Sequence, residues 1–203
     1  KIELGKHDTA AVIAAAKTWI AALDSAHADY QHHLTEALWL HQWHNVVDVA
    51  LLDRVLKSPS ADARAAAVRV LCYWRDRVPG ALAILREKAS DESQRVRLHA
   101  VRAASFFSEV AATEVALAAT KLPVDYYLDY VIGETLRQLR PFWAKSIGDG
   151  SGFASADPAS VRYLLRTLKV SDLLKLPRTV DVQENILGRS GVTDAVRAEA
   201  LAG

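Results

Sequence analysis

The sequence predicts an all-α fold, a right-handed α-solenoid of stacked helical hairpins. One pattern recurs: Ser60-Ala-Asp-Ala-Arg-Ala-Ala-Ala-Val-Arg-Val-Leu71 returns as Gln94-Arg-Val-Arg-Leu-His-Ala-Val-Arg-Ala-Ala104 and, shortened, as Asp194-Ala-Val-Arg-Ala-Glu-Ala-Leu201. Aligning Arg64 with Arg97 gives an offset of 33 residues, which also pairs Ala67 with Ala100, Val68 with Val101 and Arg69 with Arg102. A period in this range is that of paired helices which bury their apolar faces only by stacking. Nowhere does the chain alternate apolar and polar residues as a half-buried strand does.

Apolar residues Val12, Ile13, Ala16, Trp19, Ile20 and Leu23 recur at helical spacing and predict a helix over 8–23 with Asp8 or Thr9 as its cap. A second helix over 28–45 carries Leu34, Ala37, Leu38 and His41 on one stripe and closes the first hairpin. The next hairpin spans 48–57 and 61–77, divided at Ser58-Pro59-Ser60, where proline stops one helix and serine caps the other. The third spans 80–89 and 92–107 around a corner at Asp91. Leu51 with Ile84 and Leu52 with Leu85, each pair 33 apart, line the first helix of these two units.

A fourth unit, over 109–120 and 123–139, is assigned by periodicity alone, since its second helix is aromatic (Tyr126, Tyr127, Tyr130) and lacks the repeated arginine. Pro141 breaks the pattern. These units make a repeat stack over 1–145. Residues 146–157, with three glycines and little to bury, form the expected loop or linker and the expected first site of proteolysis. Beyond it, 158–203 reads as further hairpins of the same solenoid: a helix over 159–168, a short turn at 171–174, and a last pair over 180–187 and 193–201.

A chain of 203 residues with 51% hydrophobic content has ample material for a continuous core. Its 25 basic and 24 acidic residues leave a net charge of +1, so no global field favours nucleic acid or an anionic membrane. The single cysteine, Cys72, sits in an apolar helical run and reads as a small hydrophobe. There is no CxxC or CxxCH, and no apolar run approaches the length of a membrane span. A first residue Lys1 and the lack of methionine suggest a processed or excised piece.

The corner residues carry the first resemblance. Asp91, Val96 and Arg97 fit the D-x-x-x-x-V-R signature that opens the second helix of HEAT repeats, and the chain resembles that family. The resemblance makes the hairpins HEAT-like and assigns Asp91 to helix N-terminal amides and Arg97 to carboxylates or carbonyls of neighbouring corners. Arg64 and Arg197 match in part, with Ser58 and Gly191 in the aspartate position, so a weaker corner is expected there.

A narrower resemblance rests on Leu38-Trp-Leu-His-Gln-Trp-His-Asn-Val-Val47, Val70-Leu-Cys-Tyr-Trp-Arg-Asp-Arg-Val78, Arg97 to Phe107, Asp125-Tyr-Tyr-Leu-Asp-Tyr130 and Leu173-Leu-Lys-Leu-Pro-Arg178. These are similar to the helical-repeat region of large planctomycete and verrucomicrobial multidomain proteins, membrane-bound dehydrogenases and c-type haem-binding proteins. In them a sugar-dehydrogenase-like propeller precedes the repeats and a cytochrome c domain comes after. The resemblance implies a connecting solenoid in a periplasmic or otherwise extracytoplasmic redox protein. It transfers no catalytic or haem-ligating residue, because neither the propeller motifs nor CxxCH is present.

Five of the seven histidines (His27, His32, His33, His41, His44) cluster in the second helix and its approach. His41 and His44 have a spacing that allows a shared metal, but no carboxylate or cysteine complements them, and Trp39 and Trp43 point to packing. Tyr73-Trp-Arg-Asp-Arg77 combines the aromatic and arginine side chains that dominate protein interfaces. Trp39, Trp43, His44, Tyr73, Trp74 and Arg75 are therefore the candidate interaction surface. Arg64, Arg69, Arg95, Arg97 and Arg102 suggest a phosphate stripe, but Asp62, Asp91 and Glu92 interrupt it. No Gly-rich phosphate loop and no nucleophile motif appears. The expectation is a non-catalytic scaffold or interaction module without cofactor, whose partner is a protein or neighbouring domains of a longer chain and not nucleic acid. The competing expectation is a haem, metal or substrate pocket on the second helix.

Overall fold

The computed structural model describes residues 3–148 and 158–202. Among the described residues the regular structure is helical throughout, with no strand. The first four hairpins are α1 (Thr9–Ala21) with α2 (Tyr30–Trp43), α3 (Val49–Leu56) with α4 (Ala61–Trp74), α5 (Ala81–Lys88) with α6 (Gln94–Ala104), and α7 (Val110–Ala118) with α8 (Tyr126–Gln138). They are followed by α9 (Arg140–Gly148), α10 (Pro158–Thr167), α11 (Val170–Leu173), α12 (Val180–Leu187) and α13 (Asp194–Leu201). The chain is an all-α solenoid.

Helix starts are set by side chains that take up amides the helix leaves free. Asp8 accepts from the Ala11 amide (2.9 Å), Asp48 from Leu51 (2.9 Å), Ser60 from Ala63 (3.4 Å) and Asp125 from Leu128 (2.8 Å). Gly80 enters α5 with φ +69°, a left-handed conformation that a side chain would strain.

One continuous core of buried apolar residues runs from Tyr30 in α2 to Ala200 in α13. Leu52, Leu85, Ala67, Ala100 and Val101, the residues that the repeat pairs, all lie within it. The alanines allow close approach: α4 lies directly along α6, and α6 along α8, whereas α3 and α5 barely meet. The α1/α2 hairpin is less integrated, with Val12, Ala16 and Leu40 forming a small separate cluster. An apolar cleft of about 600 Å³ opens there, lined in part by Leu4, His7, Trp19 and Leu40.

The proline that reads as a break opens a helix instead. Pro141 lies in the first turn of α9, where its missing N–H costs nothing. Trp143 is buried and its indole N–H donates to the Leu136 carbonyl (2.7 Å), which ties α9 to the end of α8. Helix α9 thus reaches Gly148, inside the segment expected to be loop; the rest of that segment, 149–157, lies outside the described residues. Helix α10 packs on α7 and α12.

Candidate interaction surface

Two sets of arginines separate once the hairpins stack: one locks the corners, the other faces solvent. Arg64, only 8% exposed, donates from Nε and Nη2 to the two oxygens of Asp91 in the next unit (2.8 and 2.9 Å). It also donates to the carbonyls of Ser58 and Pro59 in its own corner (3.0 and 3.1 Å). Burial raises the pKa of the Asp91 carboxyl, but the Arg64 guanidinium and the Ser93 amide (2.9 Å) outweigh it and hold the carboxyl below its ordinary value. The hydrogen bond to Asp91 in turn raises the pKa of Arg64.

The corner expected to be weak is therefore the most fully bonded one. The clamp runs forward, from the arginine of one unit to the aspartate of the next, so Ser58 in the aspartate position of its own unit does not weaken Arg64. Arg97 repeats the reach with poorer partners. Its Nη2 donates to the Pro123 carbonyl of the following corner (2.5 Å), and its Nε is buried with no hydrogen-bond partner among the described residues. Burial lowers its pKa, opposed by the charges of Asp125 and Asp91. Arg197 donates to the Arg189 carbonyl within its own hairpin (3.3 Å).

The second set lies on the solvent side of the second helices. Arg69 and Arg102, related by the repeat, are exposed and form no ion pair among the described residues. Arg95 pairs with Asp62 across α4 and α6 (2.7 Å). His99 lies among these three arginines with Nδ1 buried and unpartnered among the described residues. Burial first, then the three guanidiniums, lower its pKa to about 4, so its ring is neutral and the local field positive.

Aromatic rings flank this row. Tyr73 and its repeat counterpart Phe106 are 64% and 50% exposed. The Phe106 ring carries the guanidiniums of Arg75 and Arg102 at 5.5 and 5.9 Å from its centroid, within cation–π range. A groove of about 380 Å³ between α6 and α8 is lined by Arg102, Phe106, Val131 and Glu134, with Glu134 bonded to Arg137. Tyr126, Tyr127 and Tyr130 on α8 are also exposed.

The six candidate surface residues do not lie together. Tyr73 and Arg75 belong to the α4/α6 face, where Arg75 also donates to the Cys72 carbonyl (2.9 Å). Trp74 must be withdrawn from the surface: it is 1% exposed. Its spacing from Ala67 and Leu71 places it on the buried stripe of α4, while adjacent Tyr73 is rotated outward. Trp39 packs partly buried against the core. Trp43 is 57% exposed, with the Gly5 backbone against its indole. His44 makes a hydrogen bond to Thr9 (3.1 Å). Phe106 and the exposed tyrosines of α8 were not among the sequence candidates. The signal for Phe106 was the repeat itself, which carries Tyr73 to position 106.

Of the other histidines of the first hairpin, His41 and His33 pack into it while His27 and His32 are exposed. His41 is fully buried, its Nδ1–H donating to the Ala37 carbonyl (2.9 Å) and its Nε2 lying 3.7 Å from Asp48. The His33 ring lies 5.4 Å from Trp19 and 6.2 Å from His27. Among the described residues no three His, Cys, Asp or Glu side chains converge to form a metal shell, and no helix is long and apolar enough to cross a membrane.

Residues 47–137, the segment that carries α3 to α8, match the HEAT repeats family and so support a HEAT-repeat region there. No curated protein and no solved structure gives a significant match.

Proposed function

We propose that the chain is a non-catalytic scaffold whose layer of second helices docks a protein partner. The observation that carries this reading is the gathering of exposed aromatic and arginine side chains, Tyr73, Phe106, Arg69 and Arg102, on one face of a stacked-hairpin solenoid. The helices beneath them are pinned by buried corners and alanine contacts, so the face is rigid and costs little ordering on binding. The wider context rests on the narrower sequence resemblance alone: a connecting solenoid between dehydrogenase and cytochrome c domains of a periplasmic or otherwise extracytoplasmic redox protein. Photo-crosslinking from a benzophenone side chain at position 73 or 106 tests the docking reading, with position 57 on the opposite layer as control. Adducts from 73 and 106 but not from 57 support it. Adducts from 57 alone, or from none of the three, refute it.

A second reading, a ligand pocket in the first hairpin, is favoured by one observation, the apolar cleft of about 600 Å³ beside Trp19 and Leu40. The histidines and tryptophans singled out on the second helix are not among its lining residues, so it supports an apolar ligand and gives no support to ligation by His41 or His44. Saturable binding of an apolar fluorescent probe, lost when Ala15→Trp fills the cleft, would favour the pocket, and its absence the scaffold.

A further inference from the structure

The docking face has a specific chemistry, which bears on its partner provided that this face binds protein, as proposed above. Arg69 on α4 and Arg102 on α6 occupy equivalent positions of adjacent units, and neither guanidinium is neutralised by an ion pair among the described residues. Packed helices lie about 8–10 Å apart, which sets the order of the separation between equivalent positions. A polyproline II segment repeats its side-chain direction every three residues and advances about 9 Å in doing so. Carboxylates three residues apart on such a segment therefore match the two arginines. Four residues further on stand Tyr73, in the last turn of α4, and Phe106, in the turn just after α6, exposed rings of the kind that receive proline.

We infer that the α4/α6 face binds a proline-rich acidic segment, Arg69 and Arg102 each taking a carboxylate while Tyr73 and Phe106 pack against the intervening prolines. The carboxylates nearby do not cancel the site, because Asp62 is already paired with Arg95 and Glu134 with Arg137. Nucleic acid fits less well: its phosphates need a longer track of cations, and this row ends at Asp62 on one side and Glu134 on the other.

Fluorescence anisotropy with the purified chain and a labelled peptide of repeated Glu-Pro-Pro triplets tests the inference. The expected result is saturable binding that weakens as salt is raised. The variant Arg69→Gln with Arg102→Gln should bind at least roughly tenfold more weakly, the scale of one lost charge-assisted contact. Both residues are exposed, so this variant keeps the fold, which circular dichroism checks; Lys57→Gln, on the other layer, should bind as the parent does. Equal binding of a Gln-Pro-Pro peptide, undiminished binding by the double variant, or tighter binding of single-stranded DNA overturns the inference. If the acidic peptide fails to bind while crosslinks from positions 73 and 106 persist, only the peptide chemistry falls. Loss of both removes the docking reading as well.

Discussion

Replacing Asp91 by alanine strips the buried carboxylate from Arg64 and leaves the guanidinium almost without solvent. Removing one partner of a buried ion pair costs about 3–5 kcal/mol. Arg64 keeps the carbonyls of Ser58 and Pro59 and a longer contact to exposed Glu92 (3.3 Å), which places the loss at the lower end of that range. The Ser93 amide also loses its acceptor. The expected cost is about 3 kcal/mol, or roughly 6–12 °C in melting temperature for a chain of this size. Urea unfolding of Asp91→Ala, Arg64→Met and the double variant measures it. Because Arg64→Met removes the stranded charge, the double variant should be more stable than the sum of the single losses implies, by about 1–3 kcal/mol. Additive losses, or a cost below about 1 kcal/mol for Asp91→Ala, would refute the forward clamp.

Acid should act through the same residue: the carboxyl of Asp91 lies below its ordinary value in the fold, so its stabilisation is present above that value and is lost as pH falls through the folded one. Asp91→Asn should then flatten the acid limb of stability, and an unchanged limb would count against it. His99 titrates at about 4 in the fold against 6.5 ordinarily, so protonation favours the unfolded chain as pH falls from 6.5 to 4. His99→Gln should consequently lose less melting temperature between neutral and mildly acidic buffer than the parent, and equal losses would contradict the half-buried, neutral ring. Leu85→Ala, at a fully buried position, should cost about 2–5 kcal/mol and lower amide protection in α6 and α7 as well as α5, whereas a loss confined to α5 would argue against stacking as the source of stability. Added haem should give no Soret band and zinc no stoichiometric binding; either signal, abolished by His41→Ala or His44→Ala, would replace the scaffold reading.

The repeat made most of the architecture legible. Capping residues and the 3.6-residue stripe place nearly every helix within a few residues, because local chemistry decides where a helix starts and which face it buries. Long-range partners were less accessible. Arg64 and Arg97 look alike in sequence, yet one meets a carboxylate and the other a carbonyl, since the partner is supplied by the following unit. Trp74 and Tyr73 differ in burial by a rotation of one residue, which composition at a helix end does not reveal. Pro141 reads as a stop because proline ends helices, and only the packing of Trp143 shows a new one beginning.

The clamps also differ in kind. Between α4 and α6 the contact is a buried two-pronged fork from Arg64 to Asp91, with the exposed Arg95–Asp62 pair beside it. Between α6 and α8 the acceptors are carbonyls: Arg97 and Gln94 both reach that of Pro123, and Thr135 donates to that of Val101 (3.3 Å). The groove between Phe106 and Val131 lies over that carbonyl-held junction. A guest seated in it would bridge the two units at the junction where, among the described residues, the buried arginine lacks a bonded carboxylate, stiffening the stack there.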